Sequence, residues 1–224
     1  MANFVGCVVG VLNVLIIRLR SLLLAASLSF EIGWYEILQL RISMRENSFR
    51  DALLNTKMFP VTWELVPGRG ARESAQEKVI TLAGQAAEGG KVKAVTLTDN
   101  PGGTPAMSAD FLAGEVLKQG IEPVVHFTCK DKNRNQIESQ LYALDRSGVR
   151  NLLVMSGDYP VSGFRGRPAP VFDLDPVHVL QLITAMNRGL EYPGIKGPVR
   201  QQPSDFFAGA VVSPFKATEA EQVA

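Results

Sequence analysis

Five short apolar runs in the sequence each end in a polar side chain that could do chemistry. The first run ends at Glu64 and the last at Ser213, and between them lie Thr98, His126 and Asp158. Carboxyl and imidazole groups transfer protons, and hydroxyl groups hydrogen-bond substrates or cofactors. If the runs are parallel strands, these side chains meet at one edge of the sheet. The pattern therefore indicates one site there, although each residue alone also fits an ordinary surface turn.

The segments between these runs have the periodicity of amphipathic helices. In residues 71–88, Val79, Leu82, Ala83 and Ala86 recur at the spacing of one buried helical face. Each strand-and-helix unit takes about 30 residues, the size of a βαβ module. The sequence predicts strands at residues 59–66, 92–99, 122–129, 151–158 and 206–215, helices at 71–88, 108–120, 135–148 and 176–188, and loops at 159–175 and 191–205.

This alternation predicts an α/β fold with a parallel sheet covered by helices. A dinucleotide-binding open sheet should carry G-x-G-x-x-G after its first strand, but "VPGRGARES" at 66–74 lacks the third glycine. Polar residues at the ends of successive strands favour a (β/α)8 TIM barrel instead. Such a barrel takes about 250 residues. We therefore expect only about the first five β/α units of a barrel in this chain, with a five-stranded open sheet as the alternative.

The first 43 residues differ from the rest of the chain. Residues 2–17 carry no charge, and Arg18 and Arg20 separate them from a second apolar run. The first run is shorter than the about 20 residues of a membrane span. Its positive charges also follow the apolar stretch, whereas those of a secretory signal precede it.

Two interpretations of this N-terminal extension remain open. It is either a non-native segment upstream of the true start or a membrane anchor. Met44 begins a stretch typical of a cytoplasmic N-terminus, with a predicted helix that carries Phe49, Leu53 and Leu54 on one side. We expect a domain boundary here, with residues 44–224 forming the partial barrel.

The overall composition excludes several classes of protein. The chain has 23 Lys and Arg against 22 Asp and Glu, a net charge of +1, which does not favour nucleic-acid binding. Cys7 and Cys129 are far apart and suggest neither a disulfide framework nor a zinc site. We expect a cytoplasmic protein without a metal.

Four motifs, in order and spacing, resemble those of the methylenetetrahydrofolate reductase family. They are "TWELVPGRG", "TLTDNPGG", "VVHFTCKDKN" and "VMSGDYP", and the resemblance covers about residues 58–224. The family consists of flavin-dependent (β/α)8 barrels. The resemblance thus implies FAD-dependent reduction of 5,10-methylenetetrahydrofolate to 5-methyltetrahydrofolate, a step of one-carbon metabolism that supplies methionine.

The resemblance also assigns two catalytic carboxyl groups. Glu64 matches the family's general acid, which protonates N10 as the bridging methylene opens. A carboxylic acid among apolar neighbours such as Trp63 and Leu65 would remain protonated at higher pH and could donate at neutral pH. Asp158 matches the acid between flavin and pterin, where a negative charge disfavours the anionic reduced flavin. Gly157 would let the backbone approach the ring.

Further positions match cofactor contacts. Thr98 and His126 correspond to residues that contact FAD, Ser213 to a contact on the fifth strand, and Asp173 to a position near the adenosine part. Ser156 belongs to the same flavin-binding turn, but many members have Arg there. The first motif also departs from the common F-E-F-F-P-P. The absence of the Arg side chain, with Ser156 in its place, would weaken FAD binding or change the reductant.

The electron donor and the partners are left open by the sequence. NAD(P)H could reduce the FAD directly, or ferredoxin could do so through an electron-transfer partner subunit, and the chain could form a homo-oligomer. The alternative is a non-catalytic barrel subunit, or a fragment that binds flavin or a partner without turning over folate, although retention of Glu64 and Asp158 opposes the non-catalytic subunit. An unrelated barrel enzyme such as an aldolase is a third interpretation, but no strand ends in a Schiff-base lysine.

Overall fold

A parallel sheet flanked by helices forms the body of the protein. The computed structural model describes residues 46–212. In chain order the elements are α1 (Ser48–Leu54), β1 (Val61–Leu65), α2 (Ser74–Gly89), β2 (Val92–Leu97), α3 (Ala109–Lys118), β3 (Glu122–Thr128), α4 (Arg134–Arg146), β4 (Asn151–Met155), α5 (Pro176–Asn187), β5 (Glu191–Gly194), β6 (Gly197–Arg200) and β7 (Phe207–Ala210).

Five strands make up the sheet in the order β1-β2-β3-β4-β7, and every neighbouring pair is parallel. All five strands and all four helices predicted between them are present. Strands that are neighbours in the sheet, with a helix between each pair along the chain, give the arrangement of part of a (β/α)8 barrel. The prediction of an α/β fold with about five barrel units is thus confirmed.

One face of the sheet holds the main apolar core against the helices. Alternate residues of the strands, such as Leu97, Phe127 and Val154, are fully buried there. Residues 92–97, 122–128 and 151–155 are strongly apolar because their other face is also largely covered. The helices contribute the predicted periodic residues, of which Val79, Ala83, Ala86, Ile137, Leu141, Leu144, Val179, Ile183 and Met186 are buried.

The opposite face corresponds to the barrel interior, and α1 packs on part of it. Phe49 contacts a small cluster with Ala94 and Val124, and the Asn47 side-chain amide donates to Asn151 Oδ1 at 2.7 Å. The sequence places Leu54 on the same side of α1 as Phe49, yet its side chain is 66% exposed. Such a short helix buries only its Phe49 and Ala52 face.

A β-hairpin occupies part of the predicted loop at residues 191–205. Strands β5 and β6 pair in antiparallel register, with Tyr192 opposite Val199. The two strands of the hairpin hold two prolines and two glycines, residue types that are depleted in ordinary strands, so the local pattern indicates a loop. The hairpin is wholly exposed apart from Gly194, which explains why no apolar alternation marks it.

Three predictions fall outside the described residues. The N-terminal extension of residues 1–43, the boundary at Met44 and the assignment of Ser213 all lie beyond the 46–212 range. Within that range, every helix is too short or too polar to cross a bilayer.

The buried helical face of α4 provides a test of this core. Leu141 is fully buried, so Leu141→Ala should lower the free energy of unfolding by about 2–5 kcal/mol through lost burial and a residual cavity. Leu54→Ala is the matched control, because its side chain is mostly exposed and should change stability by less than about 0.5 kcal/mol. Urea unfolding followed by circular dichroism measures both. Equal losses in the two variants would contradict the assigned core.

Candidate active site at the carboxyl ends of the strands

The parallel sheet gathers most of the predicted site residues at one edge. Glu64 is paired in register with Thr96, and Thr96 with Val124. Thr98 follows the last residue of β2, and His126 lies two residues beyond Val124 on the same face of β3. The turn after β4, with the predicted residues Ser156, Gly157 and Asp158, lies at this same edge, called the rim below.

Glu64 is exposed at the end of the edge strand β1. Its two sequence neighbours, Trp63 and Leu65, lie on the opposite face of the sheet because side chains alternate along a strand. The expectation that these neighbours surround the carboxyl group is therefore wrong. Glu64 faces the barrel interior instead, beside Thr96 and on the same side as His126.

His126 is partly buried between two acidic residues. Burial lowers the pKa of its imidazole, and the negative charges of Glu64 and Asp99 oppose that effect. Because burial is the largest of the three influences, the net effect is a lowered pKa, which favours the neutral imidazole. A neutral ring can donate one hydrogen bond and accept another, which suits binding to a polar ligand.

Thr98 presents a hydroxyl with an unmet hydrogen bond. Its Oγ1 is buried and has no hydrogen-bond partner among residues 46–212. An unpaired buried hydroxyl is costly and needs an explanation, such as an ordered water or a bound molecule.

Asp158 joins two rim loops. Its Oδ2 accepts from the backbone N–H of Gly102 at 2.9 Å, and Val161 N–H donates to Gly103 O at 2.9 Å. A Cβ on Gly103 would lie only 2.0 Å from Tyr159 O, so the loop after β2 can pack against the loop after β4 only with glycine there. The carboxylate is itself exposed, so it can also meet a ligand.

Gly157 is required by its protein surroundings. Its φ is +83°, and a Cβ there would come within 2.9 Å of both Thr128 Cβ and Lys130 Cδ. The glycine therefore lets β4 end against the side chains that follow β3, which is a different reason from the ring approach expected from the sequence. Ser156 precedes it with an exposed side chain.

A charged cluster lies beside these residues and was not predicted from the sequence. Asp99 Oδ2 accepts from Thr128 Oγ1 at 2.7 Å, from Thr128 N at 3.4 Å and from Lys132 Nζ at 2.5 Å. The Lys132 ammonium also donates to Thr128 O and lies 4.7 Å from the centroid of the Phe127 ring. A polar residue directly after a strand end, as Asp99 is in "TLTDN", was the available indication.

Asp173 is engaged elsewhere. Its carboxylate forms hydrogen bonds with Arg134 at the start of α4, through the backbone N–H at 2.8 Å and through Nε and Nη2 at 3.0 Å each. These bonds lower the pKa of Asp173 to about 2. The geometry ties the loop of residues 159–175 to α4, and it gives Asp173 a structural function whether or not adenosine lies nearby.

Other chemistries find little support in the part of the chain described. Burial raises the pKa of the Cys129 thiol to about 11, so it remains protonated and a poor nucleophile at pH 7. Residues 46–212 hold no group of three or more His, Cys, Asp or Glu side chains able to bind a metal.

Comparison with known proteins identifies a matching family. The family described as "Methylenetetrahydrofolate reductase" matches residues 49–186, more than half of the 224-residue chain. The match spans Glu64, Thr98, His126 and Asp158. A search of curated proteins gave no significant match.

The ion pair of Asp173 predicts a specific acid dependence of stability. Its folded-state pKa of about 2 lies below the unfolded value of about 3.9, so the pair stabilises the fold above pH 4 and this contribution disappears as the pH falls towards 2. Asp173→Asn should therefore melt at a lower temperature than the wild type at pH 7, with the difference closing near pH 2.

Thermal melts across this pH range measure the effect. Asp51→Asn is the control, since that carboxylate makes only a 3.4 Å surface contact with its neighbour Arg50 and should show little difference at either pH. A deficit of Asp173→Asn that persists undiminished at pH 2 would contradict the assignment.

Proposed function

The chain belongs to the methylenetetrahydrofolate reductase family, and from this premise we propose that it reduces 5,10-methylenetetrahydrofolate to 5-methyltetrahydrofolate with FAD as cofactor. The family membership supports an oxidoreductase that acts on folate. One observation carries the finer proposal: the sheet brings Glu64, Thr98, His126 and Asp158 to a single rim. Together they could provide a proton donor, two hydrogen-bonding groups for a ring and a charged acceptor.

The rim fits an isoalloxazine ring in its hydrogen-bonding capacity. Among residues 46–212 the buried Thr98 hydroxyl has no hydrogen-bond partner, and His126, whose lowered pKa favours the neutral imidazole, lies near the end of the neighbouring strand β3. We assign these two side chains, with the turn formed by Ser156 and Gly157, to hold the ring. Bound there, FAD would supply the hydride for the reduction.

Glu64 is the proposed proton donor. Opening the five-membered ring of the substrate breaks the bond between the bridging methylene and N10, and N10 must gain a proton. Glu64 lies at the sheet edge on the His126 face, where a substrate stacked over the rim would be within its reach. Its exposure allows the carboxyl group to take up its next proton from solvent.

Asp158 is the proposed pterin acceptor. Its Oδ2 is held by Gly102 N–H, which fixes the orientation of the carboxylate. We assign Oδ1 to accept hydrogen bonds from the amino-pyrimidine part of the substrate. The negative charge would also disfavour the anionic reduced flavin and so promote hydride transfer to the substrate.

The electron donor and partners are part of the same proposal. NAD(P)H could reduce the FAD directly. It would take turns with folate on the same face of the flavin, so no separate nucleotide-binding domain is needed. Ferredoxin acting through an electron-transfer subunit is the other donor consistent with the sequence. A homo-oligomer is also proposed, and size-exclusion chromatography with light scattering would detect it.

Substitution of Glu64 tests the catalytic assignment. Glu64→Gln should slow folate reduction by about 10²–10⁴-fold, because the amide cannot protonate N10, while the reduction of FAD by its donor continues. Stopped-flow absorbance measures the two half-reactions separately. Glu77→Gln is the control, since Glu77 is an exposed residue on α2 and should leave both rates unchanged. If Glu64→Gln reduces folate at the wild-type rate, Glu64 is not the acid.

Two substitutions of Asp158 separate charge from loop packing. Asp158→Asn keeps an oxygen that can accept from Gly102 N–H, so the fold should persist while the reduction potential of bound FAD rises. Asp158→Ala removes the loop connection as well, and it should increase proteolysis of the loops after β2 and β4. Spectroscopic redox titration and limited trypsin digestion measure these effects. An unchanged potential in Asp158→Asn would refute the electrostatic function.

A further inference from the structure

The charged cluster of Asp99, Thr128 and Lys132 connects the ends of two neighbouring strands. Asp99 follows β2, and both of its partners belong to β3 or the turn after it. The carboxylate is almost enclosed: the Asp99 side chain is 12% exposed and the Lys132 side chain 10%. The cluster, called the rim clamp below, therefore fixes where the Asp99 charge lies.

A buried ion pair at this position needs an explanation beyond stability. Removing two charges from water costs about as much as their attraction returns, and apolar replacements are often equally stable. Here the Lys132 ammonium is fully used by Asp99, Thr128 O and the Phe127 ring. Such an arrangement is costly to build and leaves one carboxylate held rigidly beside the proposed site.

The rim clamp places the Asp99 charge close to His126. Asp99 accepts hydrogen bonds from both the N–H and the hydroxyl of Thr128. Thr128 lies two residues beyond His126 on the same strand and the same face. Five charged groups lie at the ends of the neighbouring strands: Glu64 ends β1, Asp99 follows β2, Lys130 and Lys132 follow β3, and Asp158 follows β4.

Of these five groups, Glu64 and Asp99 influence the imidazole most. Both raise the pKa of His126 against the stronger effect of burial. The Lys130 ammonium is directed to Asn100 O, and Asp158 to Gly102 N–H. Asp99 is therefore the neighbouring charged group whose position is fixed by side-chain contacts, those with Thr128 and Lys132.

We propose that Asp99, held by Lys132 and Thr128, is a positioning residue for His126 in the candidate active site. The clamp keeps the carboxylate from swinging to His126 as a direct ion-pair partner, and its ammonium offsets part of the negative charge. The Lys132 contact thus limits how far the Asp99 charge raises the pKa of His126 against the effect of burial. The use of a neutral ring for binding a ligand rests on the proposed flavin function. The positional claim itself concerns only residues of this chain.

The two histidines of the chain make the test direct. Full-length protein carrying labelled histidine gives signals from His126 and His178 only, and His178→Gln assigns them. NMR titration then reports the pKa of His126 without cofactor or substrate. His178, paired with Asp175 at the start of α5, is the internal reference.

The predicted shifts have opposite signs. Asp99→Asn should lower the pKa of His126, because a negative charge is lost, whereas Lys132→Met should raise it, because the offsetting positive charge is lost. Lys132→Arg should restore the wild-type value. Lys118→Met is the matched control: Lys118 is 70% exposed in a surface pair with Glu115 and should leave His126 unchanged.

A purely structural function of the clamp gives a different result. Loosening of the rim would hydrate His126 and raise its pKa in Asp99→Asn as well as in Lys132→Met, because burial is what lowers it. A rise in both variants, or no change in Asp99→Asn, would overturn the proposal. If a single variant fails to fold, the double variant Asp99→Asn/Lys132→Met leaves no unpaired charge and must still lower the pKa.

This experiment separates the clamp from the proposed function. Opposite shifts in a chain that does not bind FAD would support the clamp and refute the flavin proposal. Flavin binding and folate reduction without these pKa shifts would support the flavin proposal and refute the clamp. Neither result depends on the other, because the titration is carried out without ligand.

Discussion

Parallel backbone pairing is the constraint on which the rest of this structure depends. Five strands, β1 to β4 and β7, run in one direction and pair with their neighbours. Their carboxyl ends consequently share one edge, and side chains more than 90 residues apart in sequence, such as Glu64 and Asp158, reach the same rim. The helices on one face cover the apolar core that stabilises this pairing.

Two carboxylates of the rim hold its loops and strand ends in place. Asp158 fixes the loop after β2, and Asp99 fixes the end of β3, while each also places a negative charge next to the proposed ring site. Gly103 and Gly157 permit the close contacts that these bonds require. A site built from mutually tied loops changes little when a ligand arrives, which favours binding and catalysis by preorganised groups.

The sequence predicts the elements well because each one has a local pattern. Apolar runs and helical spacing identify all five sheet strands, and strand-end polarity identifies Glu64, Thr98, His126 and Asp158 as rim residues. The pairs Asp99–Lys132 and Arg134–Asp173 leave no such pattern, since 33 and 39 residues separate the partners. The hairpin β5–β6 was missed because its prolines, glycines and exposed surface imitate a loop. Long-range pairing and exposed structure are thus what local periodicity cannot provide.

Uptake of FAD by the full-length chain is the most direct test of the central claim, that the rim is a flavin site. The chain is mixed with FAD, separated from free cofactor by gel filtration and examined by visible spectroscopy. The predicted result is that the chain retains flavin absorbance at about 450 nm. A Thr98→Val variant, which lacks the Thr98 hydroxyl, should retain less of it. A folded chain that elutes colourless at every FAD concentration would contradict it.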